Sequence, residues 1–298
     1  MARQPYTEAI RERVIVFDGA FGTFVQGLSL GADDFGGPDL EGCNEMLALT
    51  RPDVIESMHR AFLDAGVDAV ETASFGSFST VLAEYGIPEK AYELNVAAAS
   101  IARRVCDEYE SKDGRPRYVA GSIGPGTKLP SLGHISFAEL REAYVDQARG
   151  LIDGGCDLFL IETCMDLLQI KAAMQACRRA MSMCGRTLPI QVQVTMETTG
   201  RMLVGTEIGA AYSALVAMKP DAIGINCATG PAEMQEHLRY LSQHSEIPVS
   251  VLPNAGLPSV VDGRTHYDLT PEQLAEFHRH HVADLGIGIV GGCCGTTP

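Results

Sequence analysis

The stretch ADLGIGIVGGCCG, residues 283–295, carries both the fold and the chemistry of this chain. A helical pattern ends, a glycine permits the turn, a short apolar run begins, and a cysteine pair framed by glycines closes it. DAGVDAVET at 64–72 and DGGCDLFLIET at 153–163 repeat the theme. Runs that stay apolar, rather than alternating, fit parallel strands covered on both faces.

Outward from these anchors, strand-like runs fall at 14–18, 69–72, 118–124, 158–163, 190–196, 222–227, 249–253 and 286–290. Helical patterns fill 52–65, 89–110, 137–153, 166–183, 207–218, 231–243 and 271–285, most with apolar residues three and four apart. Eight strands alternating with helices leave a (βα)8 barrel or an open doubly wound sheet. No G-x-G-x-x-G follows the first strand, which weakens a dinucleotide-binding sheet. The expected architecture is therefore α/β, one (βα)8 TIM barrel over 1–298. Its eighth helix should follow Gly295, yet the sequence stops at Pro298. A barrel lacking its final helix in this chain is expected, as is a longer parent protein. The glycine-rich stretch 27–42 reads as a long loop after the first strand, on the face where barrels place chemistry.

Composition narrows the function classes. Over 298 residues the hydrophobic share is 46%, the charged share 20% and the formal net charge −15. Nucleic acid and anionic membrane surfaces are disfavoured by that charge, since no local basic patch offsets it. The first ten residues are polar and lack the apolar run of a leader, and no stretch approaches the ~18 apolar residues of a span. Cys106, Cys156, Cys164, Cys177 and Cys184 show no framework spacing, so free thiols in a reducing cytoplasm are expected.

Cys227, closing AIGINC, and the pair Cys293–Cys294 stand apart from those five. Both groups sit at C-terminal strand ends, on the chemical face of a barrel, with one strand between them. Adjacent residues of a regular strand point to opposite faces, so the pair needs the backbone freedom that Gly291, Gly292 and Gly295 supply. A disulfide between neighbours would be strained. Three thiolates with one open position describe a catalytic zinc site, which leads over the alternative of buried apolar cysteines. A metal also strips the proton from an incoming thiol and leaves it nucleophilic.

DGAFGTFVQ at 18–26, EGCNE at 41–45, VETASFGS at 70–77, GSIGPGTKLP at 121–130, IET at 161–163, GINC at 224–227, LPNAG at 252–256 and GGCCGTTP at 291–298 occur in the order seen in one family. Together they resemble the homocysteine S-methyltransferase family, and within it the N-terminal homocysteine-binding domain of its cobalamin-dependent members. The resemblance implies Zn²⁺ on Cys227, Cys293 and Cys294, with homocysteine sulfur as fourth ligand. It implies Asp18 and Glu162 on the substrate ammonium, and backbone N–H groups around Gly19 and Ser74–Phe75 on its carboxylate. Its implied reaction is methyl transfer giving methionine, from methylcobalamin held on a corrinoid-binding domain or protein. S-methylmethionine, S-adenosylmethionine or betaine as donor, and a non-catalytic zinc-binding barrel, are the alternatives. Ala73–Ser74 departs from the Asn-Thr that relatives often carry there.

Three further features read as bland. GSIGPGTK at 121–128 lacks the G-K-[ST] order of a phosphate loop, and is expected to be a strand-end turn. His278, His280 and His281 are expected on a solvated helix surface. Cys43 is expected to serve loop packing.

Overall fold

The strands are short because each contributes only its buried middle to a closed wall. The computed structural model describes residues 3–261 and 264–298. Its main sheet comprises β1 (Ile15–Val16), β2 (Ala69–Glu71), β3 (Tyr118–Ile123), β4 (Leu158–Cys164), β5 (Ile190–Val194), β6 (Ala222–Asn226) and β7 (Val249–Leu252). An antiparallel hairpin, β8 (Pro258–Val261) and β9 (Arg264–Tyr267), intervenes before the last barrel strand, β10 (Ile289–Val290). The barrel strands pair in parallel in the order β1-β10-β7-β6-β5-β4-β3-β2, and a Phe17–Ala69 bridge brings β1 to β2. This is the expected (βα)8 barrel.

Helices Pro52–Ala65, Ala91–Asp113, Phe137–Gly154, Leu167–Cys184, Ile208–Val216, Gln235–His244 and Pro271–Ala283 wrap that wall. Ser136 and Thr270 begin two of them with reciprocal capping boxes, which satisfy N–H groups that a helix start leaves open. Among the described residues no helix follows β10.

Two periodicities meet in each strand. Val70, Val119, Phe159, Ile161, Val192, Ile223 and Val251 face out into the layer beneath the helices. Ala69, Tyr118, Ala120, Leu158, Leu160, Ala222 and Ile289 form a separate cluster inside the barrel. IQVQV at 190–194 alternates like a half-exposed strand, yet all five residues are buried, because Gln191 and Gln193 point into the lumen rather than to water.

The aspartates directly before β2, β4 and β6 have a common job. Asp68, just before β2, accepts the Val16 N–H of β1 at 3.0 Å. Asp157, before β4, accepts the Val119 N–H of β3 at 2.8 Å, and Asp221, before β6, that of Ile190 in β5 at 2.8 Å. Each fastens a neighbouring strand at the N-terminal end of the barrel and helps to set its register. The polar N-terminus contributes too: helix Tyr6–Glu12 closes the base, with Tyr6 O–H donating to Gln191 Oε1 at 2.6 Å.

Two expectations change. The stretch 27–42 is not one open loop: after helix Phe21–Gln26, it holds helix Ala32–Phe35 and a 3-10 turn, Pro38–Leu40. Cys43 lies buried in the adjoining cluster with Met46, Leu82, Ala91 and Leu94. His281 is fully buried, and His278 is half-buried with Nε2 2.8 Å from the Gly291 carbonyl. The solvated-surface reading therefore fails for both, because this helix turns that face toward the barrel end; His280 alone pairs outward, with Asp284.

Candidate metal centre and substrate cavity

The three singled-out cysteines converge. Their sulfurs all lie within 4.8 Å of one another, with Cys227 and Cys294 3.9 Å apart, and such a group can hold a metal ion. Cys227 reaches this point because the chain leaves β6 in a left-handed turn, with φ of 60° at Cys227 and 59° at Ala228. Non-glycine residues pay about 1–2 kcal/mol each for that conformation.

The Cys293–Cys294 pair escapes strand geometry because β10 ends at Val290. Residues 291–295 instead form a tight turn, braced by Cys293 N–H to the Pro253 carbonyl at 2.8 Å and Cys294 N–H to Asn254 Oδ1 at 3.2 Å. Gly292 admits no side chain there: a Cβ would lie 2.2 Å from Thr296 Oγ1. Gly295 has φ of +85°, and its missing Cβ leaves room for the Tyr267 ring from the hairpin. Asn254 and Tyr267 went unassigned in the sequence; the Asp262–Gly263 pair between two β-rich runs is the hairpin signal that points to the second.

Charge makes the sulfur group unstable on its own. Hydrogen bonds from Cys227 and then Cys293 draw the Cys294 thiol down to about 3, against burial, while the same contacts push Cys293 well up. One sulfur can take the charge while its neighbours keep their protons; three thiolates together call for a cation.

A cavity of about 270 Å³ runs from these sulfurs to the ends of β2 and β4. Glu71, Phe75, Ser122, Glu162, Thr163 and Tyr267 line it, as does Glu45 from the loop after β1. Among the described residues no Lys, Arg or His does. Glu162 is held from two sides: Ser122 Oγ donates to Oε1 at 2.5 Å, and Asn226 Nδ2 donates to Oε2 at 3.0 Å. Asn226 also takes the Thr163 N–H on Oδ1 at 2.8 Å, so the GINC segment sets the carboxylate as well as the sulfur. Burial raises Glu162 to about 7, and it raises Asp18 and Glu71 well above the usual carboxylate range.

The remaining expected substrate contacts lie behind this surface. Asp18 is buried, and both its oxygens face the Glu71 N–H, at 3.1 and 3.0 Å, outside the cavity lining. Gly19 packs against Thr296, where a Cβ would meet the backbone oxygen at 2.7 Å. Ser74 spends its N–H on the Thr72 carbonyl and its hydroxyl on that of Ser122. Phe75 does line the cavity, and its N–H has no protein partner among the described residues. Glu71 was missed, although it ends β2 much as Glu162 approaches the end of β4, each followed by threonine.

Residues 15–298 match the family model described as homocysteine S-methyltransferase. Over 291 residues the chain is 54% identical to methionine synthase of Mycobacterium tuberculosis (strain ATCC 25618 / H37Rv), and 54% to that of Mycobacterium leprae (strain TN). Each alignment covers 98% of this chain and 24% of the relative, so the chain spans about a quarter of their length. The metallated form of Escherichia coli homocysteine methyltransferase MmuM superposes with a TM-score of 0.79 at 22% identity, over 99% of this chain and 96% of that one. Its apo form gives 0.72 at 20%, over 97% and 93%. That structural likeness is one of fold. The described residues contain no helix long and apolar enough to cross a membrane.

Proposed function

The chain belongs to the homocysteine S-methyltransferase family, and from that premise we propose that it binds homocysteine through zinc on Cys227, Cys293 and Cys294 for methyl transfer giving methionine. One observation carries the reading: three sulfurs from two strand ends meet beside a cavity whose described lining includes acids and no bases. A tetrahedral zinc with bonds of about 2.3 Å sets its sulfurs about 3.8 Å apart, close to the 3.9 Å between Cys227 and Cys294. When bound, zinc supplies a positive centre that keeps the substrate sulfur deprotonated and nucleophilic.

The protein's own groups would do the rest. Cys227, Cys293 and Cys294 would hold the ion, and all three line the cavity from which a substrate sulfur would reach it. Glu162, fixed by Ser122 and Asn226, offers negative charge to an ammonium group. The Phe75 N–H offers a donor for a carboxylate. A methyl donor must enter from the open barrel mouth, and methylcobalamin on a corrinoid-binding domain or protein fits relatives about four times as long as this chain.

The test is metal content and zinc-edge X-ray absorption, with and without homocysteine. Three sulfur neighbours rising to four on addition is the expected result. Cys227→Ala should reduce metal content below about a tenth and slow methyl transfer by on the order of 10³-fold. Full zinc and full turnover in that variant would defeat the reading. Parallel assays with methylcobalamin and S-methylmethionine distinguish the donors.

A further inference from the structure

Two histidines of the last helix take no part in the proposed chemistry, yet they form a chain that ends at the metal turn. His281 is fully buried and His278 half-buried, three residues apart and so on one face of helix Pro271–Ala283. His278 Nε2 lies 2.8 Å from the Gly291 carbonyl oxygen, and the two Nδ1 atoms face each other at 3.4 Å. His281 Nε2 lies 3.1 Å from Gln235 Nε2, at the start of helix Gln235–His244.

Donors and acceptors along this chain fit in one order. A carbonyl only accepts, so His278 Nε2 carries a proton. Burial holds that ring below its usual pKa and keeps it neutral, which makes its Nδ1 an acceptor. His281 donates to it from Nδ1, and its own Nε2 is left to accept from the Gln235 amide. Burial holds His281 down as well, to about 4. The Gln235 amide nitrogen also donates to the Pro231 carbonyl at 3.4 Å, which fixes the end of the amide that meets the ring.

The far end of the chain gives it a role. Strand pairing in β10 stops at Val290, so the next peptide unit must find its partners elsewhere. Gly291 offers its carbonyl to His278, and Gly292 gives its N–H to the Asp18 carbonyl at 3.0 Å. Both polar groups of that peptide are thereby held. It has no slack on the barrel side, where a Cβ on Gly291 would lie 2.7 Å from Phe17 and Leu252. Cys293 and Cys294 follow within three residues. We infer that His278 and His281 are positioning residues for the metal turn, a hydrogen-bonded relay from Gln235 that fixes the direction in which the chain presents Cys293 and Cys294. This rests on the proposed metal centre.

Cobalt(II) in place of zinc reports the sulfur ligands through charge-transfer absorption, with no need of turnover. Chelator competition should show His278→Phe weakening cobalt by about tenfold to a hundredfold, as loss of groups that orient metal ligands does, with altered ligand-field bands. His278→Gln, whose amide nitrogen can take the place of Nε2, should recover most of that loss. Nitrogen NMR of isotope-labelled imidazoles in the parent should place the proton on Nε2 of His278 and on Nδ1 of His281. That reading keeps the relay testable if His278→Phe does not fold.

The opposite tautomers, or a charged ring at neutral pH, would overturn the relay. So would unchanged cobalt affinity in His278→Phe, or an equal loss in His278→Phe and His278→Gln, which marks packing alone. A parent chain without sulfur-to-cobalt absorption would instead defeat the proposed metal centre, and with it the role of both histidines.

Discussion

The two ends of the barrel treat charge in opposite ways. At the base, Asp157 meets Arg3 at 3.0 Å and Arg103 at 2.7 Å, and Asp68 meets Arg13 at 2.8 Å. Tyr6 seals the lumen against Phe17 and Tyr118. At the mouth, Asp18, Glu71 and Glu162 have no cation among the described lining side chains, three thiols crowd together, and Thr163, Cys227 and Ala228 hold left-handed backbone. The base pairs these carboxylates with arginines; the mouth keeps carboxyls and thiols without a cation among the described side chains. Stability and chemistry are thus assigned to opposite ends of the same strands.

The sharpest challenge to that division lies at the base. Tyr6→Ala should cost about 3–5 kcal/mol, as large aromatic truncations in a core do, while metal content per folded molecule stays constant. Denaturant unfolding with metal analysis tests both, and a parallel loss of metal would break the division.

Next in size is the pH response of the mouth. Glu162 titrates at about 7 in the fold against an ordinary 4.5. Because the folded value is raised, its contribution is fully present below about 4.5 and is lost as pH rises through about 7. At most about 3 kcal/mol is involved. Metal-free protein should gain this share of stability between about pH 8 and about pH 5, and Glu162→Gln should remove it. A parent and variant with the same pH dependence would show that the mouth does not penalise this charge.

Asn226→Ala should keep the base intact but release both Glu162 and the Thr163 N–H. Homocysteine affinity should fall about tenfold to a hundredfold, the usual range for groups that orient ligands. Titration of the metal-loaded protein checks this, and unchanged affinity would remove the link between β6 and Glu162. The smallest effect belongs to backbone strain. Ala228→Gly relieves a left-handed residue but loosens the unfolded chain, for a net stabilisation of at most about 1 kcal/mol. A clear loss of stability would mean that the turn after β6 is not strained.

Legibility followed the same axis. Parallel strands buried on both faces are continuous apolar runs, so all eight barrel strands could be read, with ends that differ by up to three residues. The largest such difference is in the last strand: Gly286 turns the chain at φ of 68°, and Ile287 N–H binds the His281 carbonyl before pairing begins at Ile289. The buried faces of His278 and His281 were not legible, because a histidine carries no sign of which way its helix will lie.

The order of apolar runs and glycine turns by itself determined eight parallel strands covered on both sides, which left a barrel or an open sheet, and the missing dinucleotide fingerprint favoured the barrel. Cysteine spacing named the sulfurs, because barrel closure brings the ends of β6 and β10 within one strand of each other. Only the tertiary structure decided which carboxyl faces the cavity. Asp18, Glu71 and Glu162 are all acids at strand ends, and what separates them is a backbone N–H donated across strands at 3.0 Å. That choice depends on register between distant segments, which local sequence does not encode.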